Sequence, residues 1–278
     1  QRDALSKKGL TPHVLIMTAT PIPRSLALTL YGDMNVSFLD EFPPGRIPIE
    51  TKLFYEDARN SAYTLLEKEI KEGRQAYVVC PLIEESESID LKAAIDVTDE
   101  LQNRRLPNFK IQLIHGKLKK EERQKIMAEF KNGKIDVLVA TTVIEVGIDV
   151  PNASVMLIEH AERFGLAQLH QLRGRVGRGK HASKCFLIAS YALTGDGKAR
   201  LNAIVKSRDG FSIAEEDLRI RGPGDFTGTR QSGIPLLRAG NLLRDIKLLE
   251  LSRREAFDLI EKDPQLEAPE HIKLKDTL

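Results

Sequence analysis

The sequence has no tryptophan, only two cysteines and no long apolar run. Cys80 and Cys185 both lie in short apolar stretches, so we expect buried, reduced thiols in a cytoplasmic protein rather than a disulfide framework. No cysteine pair has the spacing of metal ligands and the six histidines are scattered, so no metal site is predicted. No apolar stretch approaches the ~20 residues that cross a bilayer, and no signal peptide is present, so no membrane partner is expected.

The chain also has little excess charge, with a formal net charge of +2 over 278 residues. Whole-chain charge therefore indicates no partner, and any contact with nucleic acid has to come from local basic clusters. The length suits one large domain or two small ones. The chain opens with QRDALSKKG, which has no initiator Met and reads like a helix already under way, so a fragment is expected.

Apolar β-rich runs alternate with amphipathic stretches along most of the chain, which predicts an α/β fold with a parallel sheet covered on both faces. The segment EFPPGRIP, with three prolines and a glycine, predicts a linker. Functional residues of such a sheet are expected at the carboxyl ends of its strands. The predicted strands are HVLIMTA and VSFLDE before the linker, and TKLFY, AYVVCPL, IQLIHG, DVLVATT, SVMLIEH and KCFLIAS after it.

Helical spacing separates these strands. Ile126, Met127 and Phe130 are expected to face the core from one of the helices. After Ser190 the pattern changes, because the stretch DGFSIAEEDLRIRGPGDFTGTRQSGIP is rich in glycine and charge and shows little apolar periodicity except around Phe211 to Leu218. The predicted helices of the chain are 22–31, 57–71, 89–103, 120–131, 197–206 and a long helix or helix pair over 236–261.

The stretch LHQLRGRVGRGKH, residues 169–181, allows two interpretations. GRVGRGK fits the G-x-x-x-x-G-K pattern of a phosphate-binding loop, but His181 stands where that loop needs Ser or Thr, and a helical pattern precedes it instead of a strand. The favoured interpretation is that Arg175 and Arg178 present permanently charged guanidinium groups to a bound phosphate. A solvated basic loop that caps a helix is the remaining alternative.

Three stretches in order resemble motifs of the second helicase superfamily: TATPIPR resembles motif III, LVATTVIEVGIDVPNA motif V and QLRGRVGR motif VI. The resemblance implies a RecA-like doubly wound parallel sheet, the second helicase motor domain, with a helical carboxy-terminal extension. DEFPPGR, VCPLIEESE and DGFSIAEEDLRIRGPGDFTGTRQSG are similar to the RecG family. The related transcription–repair coupling translocase remains an alternative.

The resemblance implies a nucleotide site built from five residues, which are Gln171, Arg175, Arg178, Gly147 and Asp149. The two arginines would act on the γ-phosphate of ATP, with Gln171 assigned to the same catalytic group. Gly147 and Asp149 would bind the nucleotide, with Asp149 accepting from a ribose hydroxyl. ATP and its Mg would be held mainly by a first motor domain, because this sequence has no complete phosphate-binding loop and no magnesium-binding Asp-Glu pair at a strand end. The alternative for Asp149 is a buried carboxylate that caps its loop.

The resemblance also implies a DNA-binding set: His115, Gly116, Thr141, Thr142, Arg219, Arg221, Arg230 and Gln231. Hydroxyl groups at a strand end, a histidine after the neighbouring strand and arginines beside glycine hinges can all contact phosphates. Each has a plainer alternative, because a histidine at a strand end is often a core residue and a basic glycine-rich stretch is often a surface loop.

The predicted organisation is the end of a first motor domain with a linker over 1–45, the RecA-like helicase domain over 46–195, and a translocation hairpin with helices over 196–278. The resemblance implies an ATP-dependent helicase that remodels branched DNA (stalled forks and Holliday junctions) in repair and recombination, acting as a monomer in the bacterial cytoplasm at the nucleoid. The chain alone is expected to be inactive. A DNA-binding module that ignores nucleotide is the alternative from a different class.

Overall fold

The computed structural model describes residues 45–81, 87–141, 149–207, 209–221 and 245–275, together with isolated positions before residue 45. The two strands, the first helix and motif III that the sequence predicts before the linker lie outside this description. Residues 46–49 form neither helix nor strand, which agrees with the linker pattern.

All six strands predicted after the linker are present and form one parallel sheet in the order β1-β6-β5-β2-β4-β3. The order reverses along the chain, as in doubly wound sheets, which confirms the predicted fold class. The strands are β1 Glu50–Tyr55, β2 Gln75–Cys80, β3 Ile111–Ile114, β4 Val137–Thr141, β5 Ala153–Ile158 and β6 Lys184–Ala189.

Helices connect the strands and continue beyond the last one. They are α1 Arg59–Lys71, α2 Glu87–Glu100, α3 Lys120–Lys131, α4 Leu166–Arg173, α5 Gly195–Lys206, α6 Gly210–Arg221, α7 Ile246–Lys262 and α8 Ile272–Lys275. Short 3-10 turns span Glu56–Ala58 and Ala161–Arg163, and α2 runs into a π-helix over Leu101–Arg105. Within the described ranges, none of these helices has the length and apolarity to span a bilayer.

The central strands β2, β4 and β5 are buried along their whole length because helices cover both faces of the sheet. One apolar cluster joins one face of the sheet to α3, α4, α5 and α6. A second joins the opposite face to α1 and α2. Ile126, Met127 and Phe130 are 7%, 5% and 0% exposed in the first cluster, as the spacing predicts.

Two helical boundaries differ from the sequence expectation. The glycine-rich stretch after residue 207, where the sequence shows apolar periodicity only around Phe211 to Leu218, contains a full helix, α6, in which Ile213, Ala214 and Leu218 are buried. Of the helix or helix pair expected over 236–261, α7 begins at Ile246, and residues 236–244 lie outside the described part.

Candidate functional site

The two candidate arginines lie in a loop, residues 174–183, that follows α4 and leads into β6. Gly174 caps α4, and the main-chain N–H groups of Arg175 and Val176 continue the turn by donating to the carbonyl oxygens of Leu172 and Arg173. Val176 is fully buried in the core. Val176 thus anchors the loop in the core, while Arg175 is partly exposed and Arg178 is exposed.

Two glycines allow this arginine loop to pack closely against its surroundings. Gly177 has φ +81°, a left-handed conformation that other L-residues adopt only with strain, and a Cβ there would lie 3.0 Å from Cγ1 of Ile49. Gly179 runs across Pro151, whose carbonyl oxygen would be 2.0 Å from a Cβ at residue 179. The loop therefore rests on the residues that precede β1 and β5.

Arg178 faces Asp149 from this position, with 3.9 Å between Nε and Oδ1 and both side chains substantially exposed. Arg178 Nε also donates to the carbonyl oxygen of Gly174 at 3.3 Å. An exposed ion pair this long stabilises the fold very little. Both groups are therefore available to a ligand that carries an anionic part for the guanidinium and a hydroxyl for the carboxylate.

Arg175 lies on the same side of the molecule. Within the described part of the chain, no hydrogen bond or ion pair engages its guanidinium. Burial raises the pKa of the Tyr77 hydroxyl to about 12. The charges of Arg175 and Arg178 oppose this rise, and the charge of Asp149 adds to it. All three charges thus act on one tyrosine at the start of β2. Gln171, the other catalytic candidate, lies exposed on the last turn of α4.

The position of this cluster corrects one expectation. Functional residues were expected at the carboxyl ends of the strands, but Asp149 and the arginine loop precede β5 and β6 and so lie at the amino edge of the sheet. β4 ends at the carboxyl edge with Thr141, and Asp149, the next described residue, already lies at the opposite edge. Gly147, on the way, is outside the described residues.

The DNA-binding candidates of the sheet do lie at the carboxyl edge. Thr141 ends β4 and is 2% exposed, while His115 and Gly116 directly follow the neighbouring strand β3. Nδ1 of His115 is buried, and no partner for it lies among the described residues. α3 begins nearby at Lys120. The structure thus brings Thr141 and His115 to adjacent strand ends and separates them from the arginine loop; Thr142 lies outside the description.

Comparison with known proteins gives two family matches that follow one another along the chain. Residues 59–180 match the helicase conserved C-terminal domain, and residues 207–278 match the C-terminal part of domain 3 of the ATP-dependent DNA helicase RecG. Curated proteins named ATP-dependent DNA helicase RecG are similar over the whole length, with 51% identity over 99% of this chain in Synechocystis and 47% over 100% in Bacillus subtilis. The chain belongs to the RecG family.

A solved structure of RecG bound to a three-way DNA junction is 46% identical, with a TM-score of 0.68 over 87% of this chain. This chain covers 31% of that structure, and 33% and 41% of the two curated RecG proteins. It therefore spans well under half the length of these relatives. The RecG match over 207–278 also decides between the two families that the sequence left open.

The RecG-specific region begins with α6, on which two of the candidate DNA-binding arginines lie. Arg219 is exposed, and its Nη2 lies 2.7 Å from Oε2 of Glu216 on the same helix. Arg221 is the last residue of α6, and only its main chain is described. Arg230 and Gln231 lie outside the described residues. These four positions therefore stay predictions.

Arg173 is a buried residue that the sequence reasoning missed. It ends α4 directly before the arginine loop and is 6% exposed. Its Nη1 donates to the carbonyl oxygens of Ile204, at 2.7 Å, and Ser207, at 2.8 Å, where α5 ends. A guanidinium suits the carbonyl end of a helix. In sequence, Arg173 is one arginine among several. The one signal that indicates its burial is its place beside Leu169 and Leu172 on a short helix.

A second missed feature is a charged cluster between α1, α2 and β5. Glu159, which follows β5 and is 4% exposed, accepts from Arg59 Nε at 2.9 Å and from the hydroxyl of Tyr63 at 2.5 Å. The guanidinium groups of Arg59 and Arg105 both lie against the Tyr63 ring, 4.5 Å and 4.8 Å from its centre. The cluster fixes α1 and the end of α2 to the sheet at its carboxyl edge.

Proposed function

We propose that this chain supplies the second motor domain and the translocation region of an ATP-dependent DNA helicase. The enzyme would remodel branched DNA, at stalled forks and Holliday junctions, during repair and recombination. The names of the RecG relatives and the RecG structure with a three-way junction support the activity and the DNA class. The observation on which the proposal rests is the amino-edge cluster, where Arg178 and Asp149 are exposed and only weakly paired, and where no ion pair or hydrogen bond among the described residues engages the guanidinium of the partly buried Arg175.

The charged side chains of this cluster suit the parts of ATP that they would meet. Arg175 and Arg178 would contact the terminal phosphate from outside, and Asp149 would accept from the ribose, while another domain would hold Mg and the remaining phosphates. ATP supplies the phosphoryl group whose hydrolysis drives movement. Arginines reaching into a phosphate site from a neighbouring domain stabilise the negative charge of the transition state, and their contribution is large because their charge is fixed.

The DNA would lie at the opposite edge of the sheet. Thr141 and His115 end or follow adjacent strands there, and a hydroxyl and an imidazole both donate to phosphate oxygens. We expect Gly116, Thr142, Arg219, Arg221, Arg230 and Gln231 to extend this surface. The nucleotide would thus bind at the amino edge and the DNA at the carboxyl edge. The sheet between the two sites would transmit movement from one to the other. The intact enzyme would act as a monomer in the bacterial cytoplasm, at the nucleoid.

The deciding experiment measures ATP hydrolysis by this chain alone and by this chain mixed with the remaining, amino-terminal part of a RecG-length protein. Each sample is measured without and with forked DNA. We expect no hydrolysis by the chain alone and DNA-stimulated hydrolysis when the other part is present. Hydrolysis by the chain alone that Lys180→Ala abolishes would mean that residues 174–180 form a phosphate-binding loop. Nucleotide-independent DNA affinity with no hydrolysis in any combination would favour the binding-module alternative.

A further inference from the structure

We propose that Ile49, the last residue before β1, is a positioning residue for the arginine loop and through it for Arg178. The inference rests on the proposed function, because it assigns Ile49 a part in the hydrolysis that Arg178 would support. Ile49 touches neither nucleotide nor DNA in this proposal. It acts by fixing where the main chain of Gly177 lies.

The contact between Ile49 and Gly177 is direct. A Cβ built on Gly177 would be 3.0 Å from Cγ1 and 3.1 Å from Cδ1 of Ile49, so the isoleucine side chain occupies the space that a side chain at 177 would need. Ile49 is itself partly buried and packs against the first apolar cluster. The glycine main chain therefore rests on a side chain that the core already holds.

Hydrogen bonds between the start of β1 and the end of the arginine loop, together with a buried residue at the start of the loop, hold Ile49 and the loop in place. The N–H of Glu50 donates to the carbonyl oxygen of Ser183 at 2.9 Å, and Glu50 pairs with Lys184 at the start of the β1–β6 ladder. The ladder thus ties Ile49 to the far end of the arginine loop. Val176, fully buried, anchors the near end.

Gly177 lies between this anchor and Arg178, in a left-handed conformation that turns the chain sharply. A displacement of Gly177 consequently changes the direction in which the side chain of Arg178 points. Catalytic groups tolerate small displacements poorly, since a shift of ~1 Å can cost a hundredfold in rate. Ile49 directly follows the predicted linker EFPPGRIP, so the contact also makes the arginine position sensitive to the path of that linker.

The test uses Ile49→Ala and Ile49→Val in a protein of full RecG length that contains this chain. Alanine removes both carbon atoms that meet Gly177, whereas valine keeps Cγ1. We expect kcat for DNA-stimulated ATP hydrolysis to fall ~10-fold for alanine and to recover most of the way for valine, with KM for ATP and the affinity for forked DNA little changed. Ile47→Ala is the matched control, because Ile47 is 40% exposed, lies two positions earlier, and should leave kcat unchanged.

Two further measurements separate positioning from a loss of stability and from a wrong function. All rates are taken well below each variant's unfolding midpoint, and Ile49→Ala is repeated in an Arg178→Ala background, where it should cause no further loss. Equal kcat for Ile49→Ala and Ile47→Ala, with Arg178→Ala inactive, would overturn this inference and leave the proposed function intact. Full hydrolysis by Arg178→Ala would overturn the proposed function itself.

Discussion

Arg178 and Asp149 face each other across 3.9 Å, from loops that precede the neighbouring strands β6 and β5. The separation is too long for a strong ion pair, and both side chains remain in contact with solvent. Such a pair contributes little to the fold. Its members are placed so that a ligand entering between the loops meets a cation and a carboxylate at once.

The first prediction concerns Arg178→Ala in the full-length protein. We expect ATP hydrolysis to fall by ~10³-fold or more, because an arginine supplied to a transferring phosphoryl group contributes on that scale. Affinity for forked DNA should stay unchanged, since the DNA candidates of the sheet, Thr141, His115 and Gly116, lie at its opposite edge. Steady-state hydrolysis and DNA titration in parallel measure both quantities.

The control for this variant is Arg254→Ala on α7, whose side chain is 68% exposed. It removes an equal charge far from the arginine loop in sequence and should leave hydrolysis as it is. Arg178→Lys should recover little of the activity, because a lysine lacks the forked, planar donor arrangement. Turnover unchanged in Arg178→Ala would exclude the phosphate role.

The second prediction follows from His170 in α4. Burial, followed by the charge of Arg173, lowers the pKa of His170 to about 4, while Asp209 opposes the shift and Arg46 adds to it. The unfolded chain takes up a proton on this histidine near pH ~6.5, before the folded chain does. Protonation therefore favours the unfolded state, and the contribution of His170 to stability declines as the pH falls from about 6.5 towards about 4.

His170→Gln should remove this dependence. We expect the free energy of unfolding, measured with urea at several pH values, to fall less steeply in the variant, by at most ~1.4 kcal/mol per pH unit for one proton. Carboxylates and the other histidines titrate in both proteins and cancel in the difference. Parallel curves for the two proteins between pH 4 and 6.5 would show that His170 is not held neutral by the fold.

Periodicity and apolar runs predicted much of the fold because they report burial directly. Phe130 and its neighbours at helical spacing face the core, and each apolar run after the linker is a strand. Charged core residues leave no such signal. Arg173 and Glu159 read in sequence like surface residues, and only the folded chain brings Ile204 or Tyr63 within bonding distance of them.

The sequence names the residues of the candidate site but not the edge of the sheet at which they lie. Arg178 and Asp149 lie 3.9 Å apart at the amino edge of the sheet, with Arg175 in the same loop as Arg178. The position of Asp149 directly before β5 could have indicated this edge. The supports of the loop could not be predicted, because the contacts of Gly177 with Ile49 and of Gly179 with Pro151 depend on main-chain conformation.

The third prediction concerns Arg173, the cation at the end of α5. Arg173→Met keeps much of the apolar volume but leaves the carbonyl oxygens of Ile204 and Ser207 without their donor. We expect a loss of about 2 kcal/mol in the free energy of unfolding, the scale for hydrogen bonds to a charged group that is buried. Arg173→Lys should lose less, because it retains a positive charge near the helix end. Urea unfolding of this chain measures both, and equal stability of Arg173→Met and the unchanged chain would contradict the capping role.

The fourth prediction concerns Glu159, which accepts from both Arg59 and Tyr63 while almost fully buried. Glu159→Ala leaves the buried hydroxyl of Tyr63 without its acceptor, while Arg59 keeps only Glu100, which accepts from its Nη1 at 3.1 Å. A buried polar group left unsatisfied costs stability even though Arg59 stays paired with Glu100, so we expect the free energy of unfolding to fall by about 2 kcal/mol. Glu255→Ala, which removes an exposed carboxylate 3.9 Å from Arg254, is the matched control and should change stability by less than ~0.5 kcal/mol.

Tyr63→Phe on its own should cost less than Glu159→Ala, because Arg59 still satisfies the carboxylate. A double variant, Glu159→Ala with Tyr63→Phe, should lose less than the sum of the two single variants, since the hydroxyl left unpaired by the first change is absent in the second. Strictly additive losses would mean that Glu159 and Tyr63 contribute independently and that the cluster is not a single unit.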